Sequence, residues 1–146
     1  MVHTMISKSP GLHFRELQRR TGLATGALQY HLYILSKSGL VRAEKDGSSL
    51  RLYPLTLTEE ERRLLGLLRQ GGIRKIILLM LTQPGISETE IAERMGFSLS
   101  TISWYLKRIE DSGLGKVDRQ GRTCRCIPQK EAQIIKTLIS YRETFL

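Results

Sequence analysis

Pro10-Gly11-Leu12-His13-Phe14-Arg15-Glu16-Leu17-Gln18-Arg19-Arg20-Thr21-Gly22 returns 74 positions later as Pro84-Gly85-Ile86-Ser87-Glu88-Thr89-Glu90-Ile91-Ala92-Glu93-Arg94-Met95-Gly96. The match extends without a gap from Pro10 to Pro54 against Pro84 to Pro128. Leu32/Leu106, Ser38/Ser112, Gly39/Gly113, Leu40/Leu114, Gly47/Gly121 and Arg51/Arg125 are identical. Leu17/Ile91, Leu28/Ile102, Tyr30/Trp104 and Leu35/Ile109 exchange like for like. The glycines fall where a chain must turn, and the apolar residues recur at helical spacing. The chain therefore carries two copies of one small module.

In the second copy, Ile73 to Leu81 reads as a helix stopped by Gln83-Pro84-Gly85. Ser87 caps the next helix, with Glu90 three residues on. That helix, Glu88 to Met95, ends at Gly96, and Phe97 is expected to plug the turn. Ser98 or Ser100 caps a third helix to about Asp111, with Ile102, Leu106 and Ile109 inward. After Gly113 the pattern becomes two strands, Gly115 to Asp118 and Arg122 to Ile127, around Arg119-Gln120-Gly121.

The first copy repeats this order: helices Phe14 to Thr21 and Thr25 to Ser38, then a hairpin Val41 to Tyr53 turning at Lys45-Asp46-Gly47-Ser48. Its first helix is curtailed, with only Met1 to Ser9 before Pro10. Three helices and a β-hairpin define a winged helix-turn-helix. The expected fold is mainly α with small β-hairpins (α+β), as two tandem winged helix-turn-helix domains. The expected division is residues 1–57, a linker helix at 58–72, and 73–146 with a C-terminal helix from Lys130 to Phe145. Thr58 and Glu61 form a capping box for the linker helix, and Gly71-Gly72 is expected to break it.

The chain has 146 residues and a net charge of +9. Residues 1–57 hold eight Lys/Arg against three Asp/Glu, residues 73–146 hold twelve against eight, and the piece between is neutral. Both copies are basic, which suits a polyanionic partner. Modules of this size bury little core alone, so packing between halves or a homodimer is expected, the latter through one of the two extra amphipathic helices. No apolar run reaches the length of a membrane span. No secretory signal follows Met1, so a cytoplasmic, nucleoid-associated protein is expected. No phosphate-binding glycine loop, zinc-protease motif or serine nucleophile elbow is present. No enzyme activity, cofactor or metal is expected.

The candidate recognition residues lie outward on the third helix of each copy. In the first they are Thr25, Gln29, Tyr30, Tyr33 and Lys37. In the second they are Ser98, Ser100, Thr101, Ser103, Trp104, Lys107 and Arg108. Hydroxyl and amide groups near a helix start suit base edges and phosphates. Tyr30 and Trp104 occupy one shared position, where they would either touch DNA or lie on a neighbouring element. His31 reads as a half-buried structural histidine, with a phosphate hydrogen bond as the second reading. The wings supply Arg42, Lys45 and Arg51, then Lys116, Arg119, Arg122 and Arg125. A basic hairpin beside a recognition helix is placed to grip phosphates. Cys124 and Cys126 share one strand face. They read as small core residues aligned with Leu50 and Leu52, with a redox or metal pair as the alternative.

These residues carry a resemblance. Pro10 to Leu17, Thr21-Gly22-Leu23-Ala24-Thr25-Gly26, Tyr30-His31-Leu32 and Ser38-Gly39-Leu40-Val41 resemble archaeal winged-helix regulators of the ArsR-like group. Gly96-Phe97-Ser98-Leu99-Ser100-Thr101-Ile102-Ser103 is similar to ArsR- and MarR-type recognition segments. The tandem arrangement resembles small archaeal two-domain transcription regulators, those of archaellum (motility) genes among them. The resemblance implies binding to double-stranded promoter DNA, activation near the promoter and contact with basal transcription factors. The thiol motif of metal-sensing ArsR proteins is missing. The rival readings are a protein-interaction module of the transcription machinery and a thiol- or metal-responsive repressor.

Overall fold

The computed structural model describes residues 1–121 and 123–145, with Thr123 given by its backbone alone. The chain divides into two compact units, Met1–Arg69 together with the segment from Tyr141, and Gln70–Ser140. The first contains α1 (Val2–Lys8), β1 (Leu12–His13), α2 (Phe14–Thr21), α3 (Thr25–Lys37), β2 (Val41–Asp46), β3 (Ser49–Pro54) and α4 (Glu59–Leu68). The second contains α5 (Gly71–Thr82), β4 (Ile86–Ser87), α6 (Glu88–Met95), α7 (Leu99–Asp111), β5 (Gly115–Gln120), β6 (Thr123–Pro128) and α8 (Glu131–Ser140).

Each unit is a winged helix-turn-helix, and the two share one register. Each sheet is antiparallel, in the order β1-β3-β2 or β4-β6-β5. Val41 faces Pro54 as Gly115 faces Pro128, and Leu12 faces Leu52 as Ile86 faces Cys126. The short strands β1 and β4 were not expected from the sequence. Two residues are too few to show an alternating pattern. The left-handed glycines repeat in pairs as well, with Gly22 and Gly96 at φ 72° and 70° closing α2 and α6. A Cβ is disfavoured there, so glycine lets the chain reverse into the next helix.

The first core joins Val2 and Ile6 of α1 to Leu17, Leu28, Leu32, Val41 and Leu52. In the second unit the matching positions Ile76, Met80, Ile91, Ile102, Leu106 and Cys126 are buried. The curtailed first helix thus still supplies its two inward side chains.

The region expected as a linker is a packed helix of the first unit. Thr58 and Glu61 form the capping box, with both bonds at 3.1 Å. Leu64, Leu65, Leu67 and Leu68 of α4 are all buried. Arg62 donates to Glu44 at 2.6 Å and to the Leu57 carbonyl at 2.9 Å. Gly71 and Gly72 do not break this helix: it ends before them, and they open α5. The C-terminal helix stops at Ser140 and a 3-10 turn follows at Arg142–Phe145. Arg69 donates to the Thr144 carbonyl at 2.8 Å and lies 4.6 Å from the Phe145 ring centroid.

Gly66 is fixed by close approach. A Cβ there would sit 2.8 Å from the hydroxyl of buried Tyr53. Alanine would gain about 1 kcal/mol of helix propensity, but overpacking a core costs about 1–3 kcal/mol. Gly66→Ala is therefore expected to lower stability by about 1 kcal/mol, read as a shifted denaturation midpoint. A more stable variant would show that the helix is not pressed onto Tyr53.

Candidate nucleic-acid interface

In the first unit, Leu28 and Leu32 take the inward positions of α3, leaving Thr25, Gln29, Tyr30, Tyr33 and Lys37 exposed. Tyr30 is 64% and Tyr33 55% exposed. Lys37 reaches back over the Tyr33 ring, 5.0 Å from its centroid. The Thr25 hydroxyl accepts from Gln18 at 2.9 Å, so its own hydrogen remains available to an acceptor such as a phosphate. His31 is exposed rather than half-buried, with its ring edge-on to Tyr30. Leu32 and the partly buried Leu35 already fill the inner edge of α3.

The sequence reading missed the entrance of α2. A cleft of about 750 Å³ is lined by His13, Arg15, Gln29, Ser48 and Ser49, among others. It brings the start of α2, the recognition helix and the wing tip together. Burial, then the nearby Arg51, holds His13 below the ordinary histidine range. Farther along α2, Arg19 and Arg20 both hydrogen-bond Glu16, at 2.5 and 2.9 Å. These bonds pull its carboxyl down to about 2.

In the second unit, Ser98 caps α7 by accepting from the Thr101 amide at 3.3 Å. Its hydroxyl also meets those of Ser100 and Thr101. Ser103 donates to Glu88 of α6. Ser100, Ser103, Trp104 and Lys107 are exposed, and Thr101 and Arg108 are partly so. The Arg108 guanidinium lies 5.1 Å from the Trp104 ring centroid and donates to Gln70 at 2.6 Å. Phe97 does not plug the turn: it is 43% exposed and stacks on Tyr105.

The wings differ more than their sequences do. Lys45, Lys116, Arg119 and Arg125 are exposed. Arg42 is exposed but pairs with Glu44 at 3.2 Å. Arg119 lies 3.7 Å from Glu110, whose other oxygen accepts from the Val117 amide. Arg51 departs from its expected place on DNA. It is 3% exposed, donates to Asp46 at 2.8 Å and to the Gly11 carbonyl at 2.7 Å, and lies under Gly66. Its counterpart Arg125 stays exposed, and position 120 is glutamine where the first wing has Asp46. That difference was a signal available in the sequence. Arg122 lies outside the described residues. Cys126 is buried, and burial pushes its thiol up to about 12. Among the described residues no group of three His, Cys, Asp or Glu side chains is placed to hold a metal, and no helix is long and apolar enough to cross a membrane.

Fold and geometry agree with known families. Residues 1–65 match HTH_HVO_0163_N, an N-terminal HTH domain, and residues 73–114 match HTH_24, a winged helix-turn-helix DNA-binding domain. Each unit thus matches a helix-turn-helix domain model. The chain is 28% identical over 120 residues to the uncharacterized HTH-type transcriptional regulator MJ1398 of Methanocaldococcus jannaschii. That match covers 82% of this chain but only 30% of the relative's length. Reduced HlyU of Vibrio cholerae is similar in structure, with a TM-score of 0.51 and 18% identity over 57% of this chain and 87% of HlyU. The transcriptional regulator Tm0710 of Thermotoga maritima gives a TM-score of 0.48 and 20% identity, over 59% of this chain and 64% of its own.

Two outcomes follow from the charge geometry. Arg51→Ala removes the buried bonds to Asp46 and the Gly11 carbonyl, so a loss of about 1–3 kcal/mol is expected by denaturation. Glu16 has a lower carboxyl pKa folded than unfolded. Its contribution is therefore present above the unfolded value of about 4.5 and disappears as pH falls toward about 2. Glu16→Gln should be less stable than the parent at pH 7, and the two should converge on acidification through that window.

Proposed function

We propose that the chain is a sequence-specific, double-stranded DNA-binding transcription regulator. In this reading α3 and α7 enter major grooves and the basic wings rest on the adjacent backbone. One observation carries it. The outward faces of both third helices present hydroxyl, aromatic and cationic side chains to solvent, with the amide of Gln29 added on α3, each beside a wing with exposed Lys or Arg. Bases are read by such groups at the start of a helix, and phosphates by the cations around them. In the first unit the cleft holding Arg15 and Gln29 offers a seat for a backbone strand.

The match to an HTH-type transcriptional regulator supports a regulatory role at promoters, inside the cytoplasm and on the nucleoid. The tandem resemblance to archaellum regulators makes motility-gene promoters the first targets to test, with activation through basal transcription factors as the expected mode. A homodimer joined through α8, which leaves Ile135 and Ile139 exposed, belongs to the same reading. The thiol-responsive alternative has less support, because a thiol held near 12 is a poor thiolate source.

Selection from a random duplex library, followed by titration of the winner at several salt concentrations, tests this. A defined motif with steep salt dependence is expected. Arg119→Ala and Lys116→Ala should each flatten the salt slope by about 0.9 if each neutralises one phosphate. Gln29→Ala should relax the preference at one base position. Absence of duplex binding would overturn the reading and favour a protein-interaction module.

A further inference from the structure

We infer that Glu88 and Ser103 form an acceptor-only contact on the recognition face of the second unit, which selects cytosine in the major groove and rejects guanine and thymine. The inference rests on the DNA-binding reading above and adds to it a specificity residue that lies outside α7.

Ser103 stands in the outward row of α7, three residues after Ser100 and four before Lys107, and all three are exposed. Its hydroxyl donates to the carboxylate of Glu88, the half-buried first residue of α6. A carboxylate has no hydrogen to give, so the direction of this bond is fixed. The one hydroxyl hydrogen of Ser103 is therefore engaged within the protein, and its oxygen offers only lone pairs to a further partner. A carboxylate has about four acceptor sites, so Glu88 accepts a second donor beside the first. Toward an outside group the pair is an acceptor throughout.

Charge decides which part of DNA such a pair meets. A carboxylate repels the phosphates, whereas base edges carry donors that it attracts. In the major groove cytosine and adenine present an exocyclic amino group, while guanine and thymine present carbonyl oxygens. An acceptor-only pair set against a carbonyl oxygen is repelled and leaves both sides without a partner. Adenine sets a ring-nitrogen acceptor beside its amino group, so a carboxylate reaching that amino group also meets a lone pair. Cytosine has no acceptor on its own major-groove edge, and it is the base the pair fits best.

The internal repeat shows that the fold does not require the pair. At the 74-residue offset, Glu88 and Ser103 correspond to Phe14 and Gln29. The Gln29 amide both donates and accepts. At this place the first unit can give a hydrogen, and the second cannot. The two recognition faces are thus set for different bases. An acidic residue also favours the start of a helix, but that gain is the same whichever base lies opposite. Base preference therefore separates the two roles of Glu88.

Selection from a random duplex library by the full chain and by its Glu88→Gln, Ser103→Ala and Ser103→Thr variants tests this. The parent motif should hold one position where cytosine is preferred about tenfold over guanine or thymine, with adenine between them. Glu88→Gln supplies an amide donor and should admit guanine at that position while the rest of the motif stays. It should also raise affinity for unrelated duplex, because a negative charge facing phosphates is removed. Ser103→Ala should weaken the preference at the same position, and Ser103→Thr, which keeps the hydroxyl, should retain it. Variants that leave every base preference unchanged, or that lower affinity evenly across the motif, overturn the contact with DNA binding intact. A parent chain that selects no duplex overturns the regulatory reading itself, and the contact with it.

Discussion

The structure depends on a two-residue strand. A β-hairpin alone is marginally stable in water, and a hairpin free to swing would carry no fixed relation to a recognition helix. β1 and β4 remove that freedom. Leu12 and His13 pair with Leu52 and Arg51, and Ile86 and Ser87 pair with Cys126 and Arg125. The Gly11 amide adds a bond to the Leu52 carbonyl at 2.8 Å, as Gly85 does to Cys126 at 3.0 Å. Each short strand runs directly into the second helix of its unit. The wing is thereby tied to the helix that supports the recognition helix.

From this shared frame the two units diverge in chemistry. The first spends basic side chains internally: Arg51 and Arg62 are buried and each bonds a carboxylate and a carbonyl. These bonds bind the wing to the Pro10-Gly11 turn and α4 to the wing. Its outward α3 face is rich in tyrosine. The second unit leaves Arg125 and Lys116 in solvent and places hydroxyls at the start of α7. One scaffold thus presents two different surfaces, the expected consequence of keeping core and turn residues while varying the rest.

Much of this was legible in the chain. Helix limits followed from capping serines, terminal glycines and apolar spacing, and α2 and α6 fall where those signals put them. The outward set on α3 and α7 followed from the inward one. Other features were hidden. The strands β1 and β4 are too short to show a period. His31 sits next to an inward leucine, and spacing alone could not place it outside. Phe97 follows a helix-ending glycine, where an apolar residue commonly turns inward, yet here it finds Tyr105 at the surface.

The sequence by itself determined the duplication, the order of the helices and wings, the turns and most of the outward faces of α3 and α7. Those depend on local rules: backbone sterics at glycine, hydrogen-bond capping and the period of apolar residues. Tertiary structure decided which charges are free. Arg51 and Arg125 are the same residue in the same register. One is buried where Asp46 and the Gly66 face of α4 close over it; the other is exposed, with Gln120 in place of Asp46. Asp46 lies only five residues from Arg51 and is readable locally, but the Gly11 carbonyl and the Gly66 face of α4 that complete the burial are distant in sequence.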